Sequence, residues 1–273
     1  NSPNAAVAAH RLGLNSALIT NLGDDYHGKN CLNALKKEGV STDFVRVHKD
    51  IGSNYHYVLW YEEERTILVK HHEYPYEMPD VGKPQWFYLS SLGEKSLEFH
   101  KEIAKYIQGH EGVKLAFQPG TFQMRLGYHA LKDIYMLSDL FFCNREEAKR
   151  ILETEENDIK TLLNEMRNLG PRIVVITDGP KGAYAYDGEE VWHVPMYPDP
   201  KPPLDRTGAG DAFASTFTVM RSLGKTIPEA LTYAPINSMS VVQKVGAQEG
   251  LLTLPEIESW LKKAPADYTP NRI

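Results

Sequence analysis

Long apolar runs, cysteines and an excess of positive charge are all scarce in this sequence, and each shortage excludes something. The uninterrupted apolar stretches, such as Ala5–Ala9 and Tyr57–Tyr61, fall far short of the roughly 20 residues of a membrane-spanning helix, and no secretory signal opens the sequence. Only two cysteines, Cys31 and Cys143, occur in 273 residues. That is too few for a disulfide framework and fits a reducing compartment, so the expected location is the cytoplasm. Lysine and arginine number 30 against 36 aspartate and glutamate, a net charge of −6. Nucleic-acid binding through bulk positive charge is thereby disfavoured, while a local phosphate pocket stays open. What is present is ordinary globular composition, 42% apolar and 24% charged, with enough chain to bury a substantial core.

Helical and strand-like stretches alternate. Helices are expected over Ala5–Leu12, Lys29–Glu38, Lys95–Gln108, Met124–Leu131 and Glu146–Glu153, and strands over Ser16–Leu22, Trp86–Leu89, Val113–Phe117, Leu140–Cys143 and Arg172–Thr177. The unbroken Ile173-Val174-Val175-Ile176 suits a strand buried on both faces, which points to a parallel sheet sandwiched by helices. Two segments depart from that rhythm. Asn54–Tyr61 and Thr66–His71 read as a hairpin joined by Glu62-Glu63-Glu64-Arg65, and Gly182–Val194 as a second hairpin around Asp187-Gly188. The sequence opens at Asn1 rather than a methionine and enters an alanine-rich helix at once, so a preceding strand is expected to be missing from it.

The segment most suited to chemistry is Asp205-Arg206-Thr207-Gly208-Ala209-Gly210-Asp211, a small-residue loop opening a helix expected to run to about Leu223. Glycines let backbone amides approach an oxyanion, and the positive end of the helix dipole favours negative charge there. Asp211 would then be either a general base beside that anion site or simply a helix-capping carboxylate.

This Asp-x-Thr-Gly-Ala-Gly-Asp element resembles the C-terminal signature of the ribokinase-like (PfkB) carbohydrate kinases. Other landmarks follow the family's order: Asn4-Ala5-Ala6-Val7-Ala8-Ala9 with Leu12-Gly13, Gly23-Asp24-Asp25 with Gly28, Asn144-Arg145-Glu146-Glu147, Thr177-Asp178-Gly179-Pro180-Lys181-Gly182, and Gly246-Ala247. The resemblance implies an α/β fold, a three-layer αβα sandwich with a mostly parallel central sheet and a small β lid. Residues 1–273 would be one N-terminally incomplete kinase domain, with about 48–74 forming the lid hairpin.

It also implies roles. Asp211 would activate an acceptor hydroxyl, and the amides of Gly208, Ala209 and Gly210 would form the anion hole. Asn144 and Glu147 would act near the ATP triphosphate and Mg²⁺, Glu147 through water. Thr177, Gly179, Gly182, Asn237 and Gly246 would line the nucleotide site, and Asp205 and Thr207 match positions that hold a monovalent cation such as K⁺ in relatives. Asn4 would bind substrate hydroxyls or merely cap its helix, and Asp24 or its neighbour Asp25 would touch substrate or merely shape a turn.

In the lid, Tyr55, Tyr57 and Tyr61 alternate with His56 and Trp60. One face would cover a sugar or nucleoside and the other a second subunit, giving a homodimer. His71 and His72, adjacent on a strand, point to opposite faces and are not read as a metal pair. Two positions depart from the family pattern: Gln118-Pro119-Gly120 stands where many relatives have Asp-x-Asn, and Pro235 lies near the expected adenine contact. The implied activity is transfer of the γ-phosphoryl of ATP to a sugar or nucleoside hydroxyl. The alternatives are a non-catalytic sugar or nucleotide sensor and a vitamin-precursor kinase.

Overall fold

The structure, a computed structural model, describes residues 1–61 and 64–273, without the side chains of Trp60, Tyr61, Glu64, Arg65 and Ile67. The expected turn at Glu62-Glu63 and the ring positions of Trp60 and Tyr61 lie outside the described residues.

The central sheet has seven strands. Four of them, β5 (Trp86–Leu89), β6 (Lys114–Phe117), β7 (Ser138–Asn144) and β8 (Ile173–Thr177), run parallel. Beyond β8 the sheet turns antiparallel through β9 (Ala183–Tyr186), β10 (Val191–Val194) and the short β11 (Asn271–Arg272). The alternation of side chains along β7 shows why the middle of the sheet reads as continuously apolar. Leu140 and Phe142 enter one core while Phe141 and Cys143 enter the other, as a strand covered on both faces requires. The same division recurs on β8, where Val175 faces the first core and Val174 and Ile176 the second.

Helices cover both faces. On one side lie α7 (Ala209–Ser222), α8 (Ile227–Val241) and α9 (Leu254–Leu261), contributing Phe213, Phe217, Leu231 and Ile257. On the other lie α3 (Leu97–Gly109), α4 (Thr121–Leu137), α5 (Arg145–Leu152) and α6 (Ile159–Asn168), contributing Ile103, Leu131, Ala148 and Leu162. Helix α4 is longer than expected and is broken inside by Gly127 at φ 78°, a backbone conformation open to glycine. Helix α7 is buried from Asp211 through Met220. Two of its hydroxyls are satisfied within the helix, Ser215 donating to the Asp211 carbonyl at 2.6 Å and Thr218 to that of Ala214 at 2.8 Å, which lets polar side chains sit in a dry interface.

The N-terminal part forms a separate unit of packing. Helix α1 (Ser2–Arg11) lays Ala6, Val7 and Ala8 against Leu18, Leu35, Ala212 and Val241. Strands β1 (Thr20–Gly23) and β2 (Val45–His48) pair parallel, joined through α2 (Tyr26–Lys37). Between this pair and β5 runs an apolar groove of about 470 Å³, bordered by Leu18, Ile19, Phe87, Leu89 and Val219. The hairpin expected to form the lid is an antiparallel pair, β3 (Tyr55–Tyr61) with β4 (Glu64–Lys70), in which His56 faces Val69 and Tyr57 faces Leu68. No helix among the described residues is long and apolar enough to cross a membrane.

Candidate active site

The glycine-opened helix, the end of β6 and helix α1 converge on one carboxylate. Asp211 sits in the first turn of α7 and is 8% exposed. Its Oδ2 accepts from Asn4 Nδ2 at 2.7 Å and its Oδ1 from Gln118 Nε2 at 3.3 Å. Both amides are anchored in turn: Gln248 donates to Asn4 Oδ1 at 2.9 Å, and the Tyr88 hydroxyl donates to Gln118 Oε1 at 2.5 Å. Burial, and then the Asp211 charge, push the Tyr88 phenol well above its ordinary range, so it stays a neutral donor. Two neutral amides thus orient the carboxylate, and among the described residues no side-chain cation pairs with it. The nitrogen of Asn1 lies 3.9 Å from Oδ2.

The loop before Asp211 has the free donors an anion needs. Gly208 is left-handed at φ 84°, and a Cβ there would stand 2.5 Å from the Ala247 Cβ; only glycine closes this loop. At Gly210, by contrast, a Cβ would meet nothing nearer than Gln118 Nε2 at 3.8 Å, so the space over it is open toward the cleft. Among the described residues the amides of Gly208 and Gly210 donate to no backbone acceptor, whereas the amide of Ala209 reaches the Arg206 carbonyl at 3.4 Å. Unsatisfied first-turn amides and the helix dipole make this a seat for an oxyanion. Asp205 braces the loop, accepting from the amides of Thr207 at 2.9 Å and Gly246 at 3.1 Å. That bond ties Gly246, together with its neighbour Ala247, to the glycine turn.

Across the cleft, at the carboxyl ends of β7 and β8, Asn144 and Glu147 form a reciprocal capping box on α5. The Glu147 amide donates to Asn144 Oδ1 at 2.8 Å and the Asn144 amide to Glu147 Oε2 at 2.9 Å. Burial is the main cause raising the Glu147 carboxyl above its usual range, and the charge of Asp211 adds to it. One Glu147 oxygen remains outside the box, as an oxygen ligand for a hard, hydrated cation requires. Thr177 closes β8 opposite Asn144. Of the two glycines after it, Gly182 is a packing glycine, since a Cβ would lie 2.0 Å from the Val194 carbonyl, while Gly179 at φ 52° has open space above it. A half-buried ion pair between Arg145 and Asp178 at 2.5 Å joins the two loops.

Two expected site residues belong elsewhere. Asn237 is fully buried, donating to Thr216 Oγ1 at 2.8 Å and accepting from the Leu252 amide at 2.9 Å; its amide clamps α8 to α7 and faces no cleft. Asp24 pairs with Lys29 at 3.0 Å with 44% of its side chain exposed, and it does not reach Asn4 or Asp211. Its neighbour Asp25 caps α2, accepting from Gly28 at 2.8 Å and from the amide and hydroxyl of Ser53 at 2.8 and 2.7 Å. These bonds draw its pKa to about 2. A Cβ on Gly28 would fall 1.9 Å from the Gly23 carbonyl, so the Gly-Asp-Asp-x-x-Gly element is a packing device with the acids shaping its turn.

Gln118 and Tyr88 escaped the sequence reading as site residues. For Gln118 the one local signal is a polar residue directly after a buried parallel strand, where open α/β sheets bind ligands; Tyr88, inside β5, has none. His71 does not share a partner with His72; it pairs across the hairpin with His56, Nε2 to Nε2 at 3.3 Å. Among the described residues no group of three or more histidine, cysteine or acidic side chains could hold a metal ion.

The chain and its fold have counterparts among known proteins. The ribokinase of Bacillus subtilis (strain 168) is 28% identical to this chain, over 94% of this chain and 85% of its own length. The cytidine kinase of Thermococcus kodakarensis is also 28% identical, over 88% of this chain and 86% of its own. The structure of Arabidopsis thaliana ribokinase complexed with ribose and ATP superposes with a TM-score of 0.84 at 23% identity, covering 95% of this chain and 86% of that one. The model of the pfkB family carbohydrate kinases matches residues 2–254. The chain belongs to the pfkB family of carbohydrate kinases, with the ribokinase fold.

Proposed function

We propose that this kinase moves the γ-phosphoryl of ATP to a hydroxyl of a sugar or of a nucleoside's ribose, with Asp211 as the general base. The observation that carries this reading is the Asp211 carboxylate itself, oriented by Asn4 and Gln118 in the first turn of a helix where, among the described residues, the Gly208 and Gly210 amides donate to no backbone acceptor. A hydroxyl entering between Asn4 and Asp211 exchanges a neutral amide donor for its own O–H and passes its proton to the carboxylate as the oxygen attacks. The amides of Gly208 and Gly210 hold the negative charge of the transferring group, and little reorganisation is needed because the loop is braced by Asp205. Glu147 would hold Mg²⁺ with its uncapped oxygen, and the bound ion would neutralise charge on the phosphate oxygens. Thr177, Gly179 and Gly246 border the nucleotide, and the Asp205–Thr207 turn is the seat for a monovalent cation.

The lid supplies the cover and the partner surface. Tyr57, Leu59 and Leu68 are each more than half exposed on one face of the hairpin. An exposed apolar strand pair of that kind is an aggregation hazard unless covered, and a second copy meeting lid to lid would cover it.

The test is acceptor-dependent ADP release with Mg²⁺-ATP over a panel of pentoses, hexoses, their acids and phosphates, and nucleosides. Turnover with one class supports the reading. Thermal stabilisation by a sugar or nucleotide with no ADP released from any acceptor would make the chain a sensor on a kinase fold.

A further inference from the structure

The turn that carries Gln118 is fastened from behind by two buried polar side chains. Gln123, in the first turn of α4, and His100, on α3, are each 1% exposed and lie 2.9 Å apart, Nε2 to Nε2. Gln123 Nε2 also donates to the Ser90 carbonyl at 2.9 Å, and Gln123 Oε1 accepts from the Gly120 amide at 2.7 Å. His100 Nδ1 lies 2.6 Å from the Ser96 carbonyl.

Three backbone groups fix the hydrogens of this network. The Ser96 and Ser90 carbonyls can only accept, and the Gly120 amide can only donate. Nδ1 of His100 therefore carries the ring proton, Nε2 offers its lone pair to Gln123, and both hydrogens of the Gln123 amide are spent. Burial lowers the titration of His100 against the opposing pull of the Ser96 carbonyl, which favours the neutral ring that this pattern needs. Reversing the Gln123 amide would set its oxygen against the Ser90 carbonyl and its nitrogen against the Gly120 amide. The network has one satisfied arrangement, and in a buried place the others are costly.

Its position gives it a purpose. Ser90 directly follows β5, and Gly120 stands two residues after Gln118 with Pro119, of fixed φ, between them. The Gln118 amide donates to the Leu89 carbonyl at 2.9 Å. One side-chain amide thus clasps the ends of β5 and β6 around the residue that reaches Asp211. The Ser90 hydroxyl also lies 2.6 Å from that of Ser2, on the helix that carries Asn4. Gly120 has no room for a side chain to do the same, since a Cβ there would stand 2.1 Å from Ser91 Oγ.

We propose that His100 and Gln123 are positioning residues for phosphoryl transfer, holding the Gln118–Gly120 turn and the Ser90 loop at the spacing that sets Asp211 toward the acceptor hydroxyl. The proposal rests on the reading of Asp211 as general base and extends it to two residues that act through Gln118. Orientation of this kind is sensitive to displacements of about 1 Å.

The test is a double-mutant cycle on the full chain, read by ADP release with Mg²⁺-ATP and ribose or adenosine. Gln123→Leu should lower kcat roughly three- to thirtyfold and leave the KM for ATP unchanged, with ATP-induced thermal stabilisation showing that the variant is folded. Added to Gln118→Leu, the same change should cost at most about twofold more, because its effect passes through Gln118. His100→Gln keeps an acceptor within reach of the Gln123 amide and should retain most of the activity that His100→Leu loses. A fall of equal size in both backgrounds, no fall in a folded Gln123→Leu, or no rescue by glutamine at position 100 overturns the proposal. Nitrogen-15 NMR of the native chain at neutral pH needs no variant: His100 should be the Nδ1–H tautomer, and an Nε2–H tautomer or an imidazolium contradicts the network. The side-chain amide signals of Gln118 should move in His100→Leu and stay near their native positions in His100→Gln. If neither acceptor turns over, the kinase reading is what fails, and those Gln118 signals still decide the positioning.

Discussion

Gln118 donates to Asp211 while receiving the hydroxyl hydrogen of Tyr88, at 3.3 and 2.5 Å respectively, so a residue that departs from the family pattern buttresses the carboxylate on which the site converges. Gln118→Leu removes one of the two amides orienting Asp211 and leaves the Tyr88 hydroxyl without its acceptor. Turnover should fall roughly five- to hundredfold, with the KM for ATP changed little, since the lost bond lies on the acceptor side. Tyr88→Phe should show the same pattern more weakly. Steady-state kinetics with both substrates varied separates the two constants, and a rise confined to the ATP KM would place Gln118 on the wrong side of the cleft.

The two glycines of the loop make opposite predictions. Gly208→Ala forces a Cβ to 2.5 Å from Ala247 at φ 84° and should lower stability by about 1–3 kcal/mol along with activity. Gly210→Ala meets no such crowding, and alanine suits a helix better than glycine by up to about 1 kcal/mol. Its melting temperature should hold or rise while kcat falls, because the methyl occupies the space the phosphoryl group needs. Paired thermal melts and kinetics check this; a Gly210→Ala enzyme of full activity would remove that amide from the anion hole.

Asn237 tests the reassignment from nucleotide site to clamp. Asn237→Leu strands the Leu252 amide and the Thr216 hydroxyl in a buried interface and should cost about 1–3 kcal/mol per unsatisfied group. Urea denaturation measures the loss. Asn237→Asp keeps the acceptor for Leu252, and what folds of it should retain its affinity for ADP; a selective loss of ADP affinity would return Asn237 to the nucleotide site.

Much of this was legible in the sequence, and the reasons differ by element. The buried Ile173–Ile176 strand and the Gly-Ala-Gly-Asp turn declare themselves because their physics is local: apolar continuity in one, conformational freedom and free amides in the other. The strand Val45–His48 carried no such signal, being short and only half-buried, and it was not anticipated. Gln118 and Asn237 are set by partners 93 and 21 residues away. A polar residue reads the same on sequence whether it faces a cleft or a buried hydroxyl, and only packing tells them apart. Likewise the pairing of His56 with His71, rather than any sharing between His71 and His72, depends on the register of the hairpin.

Asp25 predicts a pH dependence. Its carboxyl titrates near pH 2 in the folded chain against an ordinary value of 3.8, chiefly through the Ser53 and Gly28 amides. A folded-state value below the unfolded one means that the contribution is complete above about pH 4 and is lost as pH falls through about 2. Asp25→Asn should therefore be less stable than the native chain at neutral pH, and the gap should shrink as both are titrated downward through that window. Urea midpoints at a series of pH values measure it; a gap independent of pH would detach the Ser53 and Gly28 bonds from the charge on Asp25.

The central claim is that Asp211 takes the proton from an acceptor hydroxyl, and Asp211→Asn tests it most directly because Asn keeps the shape and removes the base. With the acceptor the enzyme uses and saturating Mg²⁺-ATP, kcat for ADP release should fall by roughly 10² to 10⁴ while the melting temperature stays within a few degrees of the native chain. A kcat within twofold of the native value, from a folded Asp211→Asn protein, would contradict the account.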